Sequence, residues 1–319
     1  FLGRDVMGEP LDIAAHRGIV SYDPAELVIT ARAGTPLVNV EAELATKGQR
    51  FAFEPPAFGS AATIGGTVAC GLSGPARAFA GPLRDYVLGV RVLTGDGRVL
   101  RFGGEVMKNV AGYDVARTMA GAFGTLGVLL EVSFKVLPTP PSTRTLALPC
   151  DATGALVALE RLAGTALPLT ASAWTGGRLL LRFEGSSRTL DDVQARVGGE
   201  VVHDAASQWV AIREHTHPFF AEGAPLWRLH VPADAPADLL PAEPLIEWNG
   251  TQRWCALESD EVFDIARAAG GHATLFRSPA ARDAVFAQPS EPLRHLHAAL
   301  KRIFDPAGIL NPGRMYPDL

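Results

Sequence analysis

The 319-residue sequence predicts an α+β protein of two domains built on antiparallel sheets. Three observations carry this. Residues 86–94 and 98–102 are apolar, β-branched runs joined by Gly95-Asp-Gly97, a tight hairpin signal. Residues 127–137 alternate, with Leu130, Val132, Phe134 and Val136 expected inward and Glu131, Ser133 and Lys135 outward, as in a sheet covered on one face. No Gly-x-Gly-x-x-Gly follows a strand, and the elements do not form a regular strand–helix–strand series, so a doubly wound dinucleotide sheet is excluded.

In chain order, residues 27–33 read as a strand that Gly34 ends. Thr35 is the expected N-cap and Pro36 the first residue of an amphipathic helix over 37–47, with Leu37, Val40 and Leu44 on one face and Gly48 as its stop. Residues 54–71 read as a glycine-rich loop. The hairpin and the alternating strand follow. Pro138-Thr-Pro-Pro141 is a linker and the strongest boundary signal in the chain. Beyond it, helices are expected over 151–163, 189–197 and 260–268. Strands are expected over 169–174 and 178–184, paired about Gly176-Gly177, and near 226–231, 244–248 and 252–257. This order suits an antiparallel sheet under helices. A last helix covers 292–304. The expected division is a first domain over 1–137, a cap over 138–291, and a helix and tail over 292–319 that return to the first domain.

Length and composition agree with two cores, since single cores usually stop growing near ~250–300 residues. The hydrophobic fraction of 47% excludes a mainly disordered chain, and a net charge of −5 gives no basic footprint for nucleic acid. No apolar run reaches the roughly 18 residues that span a bilayer. Cys70, Cys150 and Cys255 are far apart and odd in number, which suits a reducing cytoplasm. No Cys-x-x-Cys occurs, so the chain itself is expected to hold no iron–sulfur cluster and no metal.

The stretch from Glu54 to Gly71 is the most informative. Gly59, Gly65, Gly66 and Gly71 are spaced among Ser60, Ala61, Ala62, Thr63, Thr67 and Ala69, after Pro55-Pro56. Glycine admits positive φ and close approach of a flat ligand, and free N–H groups with the hydroxyls of Ser60 and Thr63 suit an anion-binding concavity. Farther on come Lys108-Asn-Val-Ala-Gly-Tyr-Asp114, then Gly121-Ala-Phe-Gly-Thr-Leu-Gly-Val128, and finally Asn311-Pro-Gly-Arg314.

These motifs, in this order, resemble the flavin-binding domain of the vanillyl-alcohol-oxidase/p-cresol-methylhydroxylase (PCMH) class. Within it, residues 102–114, 269–274 and 311–316 are similar to the family of FAD-binding E subunits of bacterial glycolate oxidases. The resemblance implies a PCMH-type FAD-binding domain with an α+β cap. It implies FAD as cofactor, held by Pro55, Pro56, Thr63, Ile64, Gly65, Gly66, Ala69, Gly71, Gly124, Gly127, Val128 and Asn311. In that class the loop at 55–66 lies along the flavin, the 124–128 segment lies towards the adenine, and Asn311 returns to the isoalloxazine. Both Gly65 and Gly66 are then expected to face the ligand. The class carries a further pyrophosphate loop upstream of the Phe-Leu-Gly-Arg segment with which this sequence opens, so this form is expected to bind FAD weakly without it. The implied partners are a paralogous flavoprotein D subunit and an iron–sulfur F subunit, and any membrane association would come through them. The implied reaction is oxidation of glycolate to glyoxylate.

The other candidate groups divide. His215-x-His217 and His295-x-His297 read as surface or packing residues, since i and i+2 do not share a helix face. His272 follows two glycines and is either a base for a hydroxyl proton or structural; relatives that oxidise 2-hydroxy acids carry His-Gly beside an acidic residue, and here Ala273 stands instead. Arg77, Arg84, Arg253 and Arg277 are candidates to clamp a carboxylate. Lys108 and Asp114 are a candidate ion pair, and Tyr113 a candidate for stacking near the flavin. Trp174, Trp209, Trp227, Trp248 and Trp254 read as core or interface anchors. Three functions stay open: a subunit that holds FAD and relays electrons or assists catalysis, a stand-alone 2-hydroxy-acid dehydrogenase, and a structural subunit with a vestigial flavin site.

Overall fold

The computed structural model describes residues 2–104, 114–221, 223–280 and 284–319. Along the chain run β1 (Ile19–Asp23), β2 (Val28–Arg32), α1 (Leu37–Thr46), β3 (Gln49–Arg50), α2 (Ile64–Cys70), α3 (Arg77–Ala80), β4 (Val87–Leu93), β5 (Val99–Gly103), α4 (Val115–Thr118), β6 (Val128–Lys135) and β7 (Leu137–Pro138). Then come β8 (Ser142–Pro149), α5 (Ala152–Ala163), β9 (Leu169–Thr175), β10 (Arg178–Gly185), α6 (Ser187–Val197), β11 (Glu200–Val201), α7 (Ala205–Arg213), β12 (Leu226–His230), β13 (Leu245–Glu247), β14 (Gln252–Ala256), α8 (Val262–Ala268), β15 (His272–Arg277) and α9 (Glu291–Phe304). Contacts divide the chain into two units. One comprises Gly3–Gly74, Gly81–Thr139 and Gln288–Leu319, the other chiefly Pro75–Ala80 and Pro140–Ala287.

The first unit is built on a five-stranded sheet in the order β1-β2-β6-β4-β5, every neighbouring pair antiparallel. Gly97, with φ 80, makes the β4–β5 turn, and the amide of Thr94 bonds the Arg98 carbonyl at 2.9 Å. In β6 the alternation slips: Arg91 pairs with Glu131 but Val92 pairs with Leu129, a bulge that leaves Leu130 unpaired. Leu129 is therefore buried and Leu130 only partly so, against the simple alternation. Ser133, expected outward, is buried and hydrogen-bonds Thr30 across the strands at 2.8 Å. Phe51, Phe53, Tyr86 and Phe134 form an aromatic cluster with centroids 5.1–6.1 Å apart. Helix α1 buries Leu37, Val40 and Leu44, but Pro36 stands at its N-cap. Thr35 does not cap it; its hydroxyl accepts from Gly18 N at 2.8 Å, tying the N-terminal segment to β2.

The second unit is an eight-stranded sheet, β11-β8-β10-β9-β13-β14-β12-β15, antiparallel throughout. Asp151 and Ser186 cap α5 and α6 through their side chains. Those helices contribute Ala155, Leu159, Leu190 and Val193 to one core with Trp174 and Phe183, and α8 contributes Val262 and Ala266 to a second with Trp227 and Leu229. Helix α7 places Trp209 and Ile212 against Ala171, Ala173 and Leu180, on the opposite face of the sheet. Strands β1, β8 and β15 and helix α7 went unread in the sequence. The tryptophans are all buried.

Candidate functional site

The 54–71 stretch is not a loop throughout. From Ile64 it is helix α2, with the Thr63 side chain capping it by accepting from Gly66 N. The amides of Ile64, Gly65 and Thr67 bond the carbonyls of Thr35, Ala33 and Thr63 at 2.7–2.9 Å. The expected concavity of free N–H groups is therefore absent from this turn: each of its amides is already satisfied. Strand β2 and helix α2 are stitched together instead.

The far end of α2 makes the second junction. Gly71 sits at its C-cap with φ 64, and a Cβ there would lie 2.8 Å from Gly121 N. Its bareness lets the 121–128 segment come close. The amides of Gly121 and Phe123 bond the carbonyls of Val68 and Ala69 at 2.9 Å. A third segment closes on the second: Asn311 Nδ2 donates to the Phe123 carbonyl at 2.7 Å.

The tail is anchored by a buried ion pair. Lys301, on α9, donates to the Thr125 carbonyl at 2.9 Å and to the Leu310 carbonyl, and pairs with Asp305 at 2.7 Å. Asp305 accepts from the amides of Leu310 and Ile309 at 2.8 and 3.1 Å. Burial alone would raise the Asp305 carboxyl, but the bonds from Lys301 and these amides, with the Lys301 charge, hold it below the usual carboxylate range.

These three segments border one cavity of ≈390 Å³, within the range of small-molecule sites. Thr63, Gly65, Gly66, Ala69, Gly124, Gly127, Val128 and Asn311 all line it, with Phe123, Leu310 and the segment at Glu9–Ile13. Pro55, Pro56, Ile64 and Gly71 do not; Ile64 is fully buried in the core. The glycines have different reasons to be bare. A Cβ on Gly65 would meet Ala33 at 2.8 Å, and one on Gly127 would meet Val92 at 2.2 Å, so both serve packing. A Cβ on Gly66 would meet only Thr63 Oγ1, at 3.3 Å, and its bare side is left to the cavity. Gly124 needs its φ of 70 and the space that Asn311 Nδ2 occupies. Among the described lining residues Glu9 is the one charged side chain. A cavity of glycine, alanine and aliphatic groups with a few polar atoms fits a flat heteroaromatic ring, and among the described residues offers no cation to a diphosphate.

Comparison with known proteins decides the family. The chain is 48% identical to the glycolate oxidase subunit GlcE of Escherichia coli, over all of this chain and 90% of that protein. The chain belongs to the GlcE family. Residues 2–103 match the FAD binding domain family. It is 33% identical to glycolate oxidase subunit GlcD of Bacillus subtilis, and 32% to a D-lactate dehydrogenase of Anaerostipes hadrus. Those matches cover 40% and 45% of this chain but only 27% and 30% of those proteins. A solved alkyldihydroxyacetonephosphate synthase shares the fold, with a TM-score of 0.65 at 16% identity over 94% of this chain and 67% of that one.

The remaining candidates lie elsewhere. Arg253 is buried and donates to the carbonyls of Gly250, Ala235 and Pro236, so it braces the chain and does not clamp a ligand. Arg277 donates to the Phe220 carbonyl at 2.6 Å. Arg84 is exposed. Arg77 stacks on Trp248 at 4.4 Å. His272 opens β15, next to His230. His215 is packed among Phe220, Trp254 and Phe276, and burial, then Arg277 and Arg228, push its imidazole down to about 3. Burial raises the Cys70 thiol and takes Cys255 up to about 12, so neither is a reactive thiolate. Asp114 caps α4 and pairs with Arg117 at 2.8 Å. The motif from Lys108 to Tyr113, with its expected pairing to Asp114, lies outside the described residues. Sequence reading missed Arg228, whose setting depends on strands that pair across long separations. No helix among the described residues is long and apolar enough to cross a membrane.

Proposed function

We propose that this chain is the FAD-holding subunit of a glycolate oxidase, acting with a paralogous flavoprotein D subunit and an iron–sulfur F subunit on a small 2-hydroxy acid. The observation that carries it is the convergence of residues 63–69, 121–128 and 309–311, distant in sequence, on one cavity of small residues in a chain 48% identical to a glycolate oxidase subunit. The residues lining this cavity would hold FAD, which would supply the acceptor for a hydride from the carbon that bears the hydroxyl.

The chain's own residues position and shield. Gly66 and Ala69 would present a flat wall to the ring system, Gly124 and Gly127 a second one, and Asn311 would fix the edge between them through its bond to Phe123. The Lys301–Asp305 pair holds that edge in place from behind. A ring held between rigid walls loses water and is presented in one orientation, which is what the protein can contribute to hydride transfer.

The experiment is reconstitution. The chain, alone and assembled with D and F subunits, is titrated with FAD and assayed for glycolate-dependent reduction of an artificial acceptor. Flavin should bind the chain alone weakly and the assembly tightly, and activity should require the assembly. Full activity of an assembly whose E subunit carries Gly66→Val and holds no flavin would overturn the reading in favour of a structural role.

A further inference from the structure

One face of the eight-stranded sheet gathers basic groups. Arg228 and His230 share one face of β12, because Trp227 and Leu229, which alternate with them, enter the core on the other. Register sets Arg228 opposite Thr274, and His230 opposite His272, on β15. The two imidazoles stack with centroids 5.1 Å apart. Trp248 lies 5.1 Å from His230 and carries the Arg77 guanidinium on its ring.

Arg228 itself has no counter-charge among the described residues. Its guanidinium stands 5.6 Å from the Phe276 ring, and its Nε is buried with no hydrogen-bond partner among the described residues. No ion pair reaches it among the described residues. Glu247, a carboxylate of the neighbouring strands, accepts at its Oε2 from Gln252 Nε2 and Trp254 Nε1 at 3.0 and 2.7 Å. Burial, helped by the Arg77 charge, brings Arg228 down to about 10, so it stays cationic at neutral pH. Burial, then the neighbouring guanidinium charges, lowers both histidines, which therefore stay neutral. A guanidinium with a buried, unmet Nε donor is costly unless an anion completes it, and its planar fork matches a carboxylate.

The geometry points to a binding site for a small carboxylate on this sheet face, with Arg228 as its anchor and the His230–His272 pair as partners for a hydroxyl on the adjacent carbon. A neutral imidazole accepts a hydroxyl proton in a hydrogen bond and does not compete for the anion. The hydroxyl assignment rests on the reading of the substrate as a 2-hydroxy acid; the carboxylate anchor does not. By this inference the second unit of the E subunit recognises the substrate class itself.

The test titrates the FAD-reconstituted full chain with glycolate, acetate and chloride by calorimetry, with flavin absorbance and thermal midpoint read on the same samples. Glycolate should bind saturably, at least tenfold tighter than acetate, with chloride a poor competitor. Arg228→Gln should weaken glycolate at least thirtyfold with flavin retained. Should that variant fail to fold, Arg228→Lys, which keeps the charge and loses the fork, should still weaken it about tenfold. His272→Gln should bring glycolate close to acetate. Absence of glycolate binding by the folded wild-type chain, unchanged affinity in either arginine variant, or equal competition by chloride would overturn the site. An unchanged glycolate-over-acetate ratio in His272→Gln would overturn the hydroxyl half. Loss of flavin with carboxylate binding intact counts against the proposed function and leaves this site standing.

Discussion

Two adjacent glycines show how much the environment of a single residue decides. Gly65 lies against the Ala33 backbone, whose carbonyl its own amide bonds at 2.7 Å, and Gly66 turns to the cavity. Gly66→Val should leave the thermal midpoint within a few degrees and lower bound flavin at least tenfold, read as absorbance at equal protein. Gly65→Val should cost a few kcal/mol, of the order of other overpacking changes, and lower the yield of folded protein before flavin is considered. His215 makes a prediction in pH. Its folded value near 3 lies below the unfolded value of about 6.5, so the unfolded chain binds a proton that the folded chain refuses. Its contribution is fully present above pH 6.5 and is lost as pH falls towards 3, by at most about 5 kcal/mol. Urea midpoints between pH 7 and 4 should fall less steeply in His215→Phe, provided the ring still packs against Phe220.

At the scale of elements, α2 and α9 hold the cavity's walls. The one side chain capping the first turn of α2 belongs to Thr63. Thr63→Ala should cost about 1 kcal/mol by loss of that cap, read as a lower urea midpoint with an unchanged slope. Helix α9 is fastened through Lys301 and Asp305, both buried. Asp305→Asn leaves the Lys301 charge without its partner and should cost about 3 kcal/mol. Because the folded carboxyl sits below its unfolded value of about 3.9, the wild-type contribution is present above that pH and is lost as pH falls through the folded value. Melting curves of wild type and variant should converge in strong acid, and a constant gap down to pH 2 would show that the ion pair does not fasten the helix.

On the scale of the whole molecule, the two units report separately. All five tryptophans lie in the span from Pro140 to Ala287. Their emission follows the unit with the eight-stranded sheet, and bound flavin follows the other. A ligand at a hundredfold its Kd stabilises the state that holds it by about 2.7 kcal/mol. Added FAD should therefore raise the urea midpoint for flavin release and far-UV ellipticity more than the midpoint for tryptophan emission. Coincident shifts in both signals would mean that the units unfold as one.

Local pattern alone determined a good part of this protein. The hairpin about Gly97, the helix over Leu37–Thr46 and the strand pair about Gly176-Gly177 depend on turn chemistry and periodicity within a few residues, and the structure has them. The glycine-rich and Asn-Pro-Gly motifs marked segments that the structure brings to one cavity, because bare backbone is written directly as glycine. Pairing across distance was not legible. Strand β8 follows a run of prolines that read as linker, and β15 follows Gly270-Gly271 in a stretch to which local pattern assigned no element. Each becomes a strand because a partner from another part of the chain satisfies its backbone. The same holds within the site. Sequence gave Gly65 and Gly66 one role, and only the distance to Ala33 separates them. Arg228 carried no motif; the burial of its Nε without a partner among the described residues arises where β12 meets β15 and β14, a meeting that tertiary packing alone arranges.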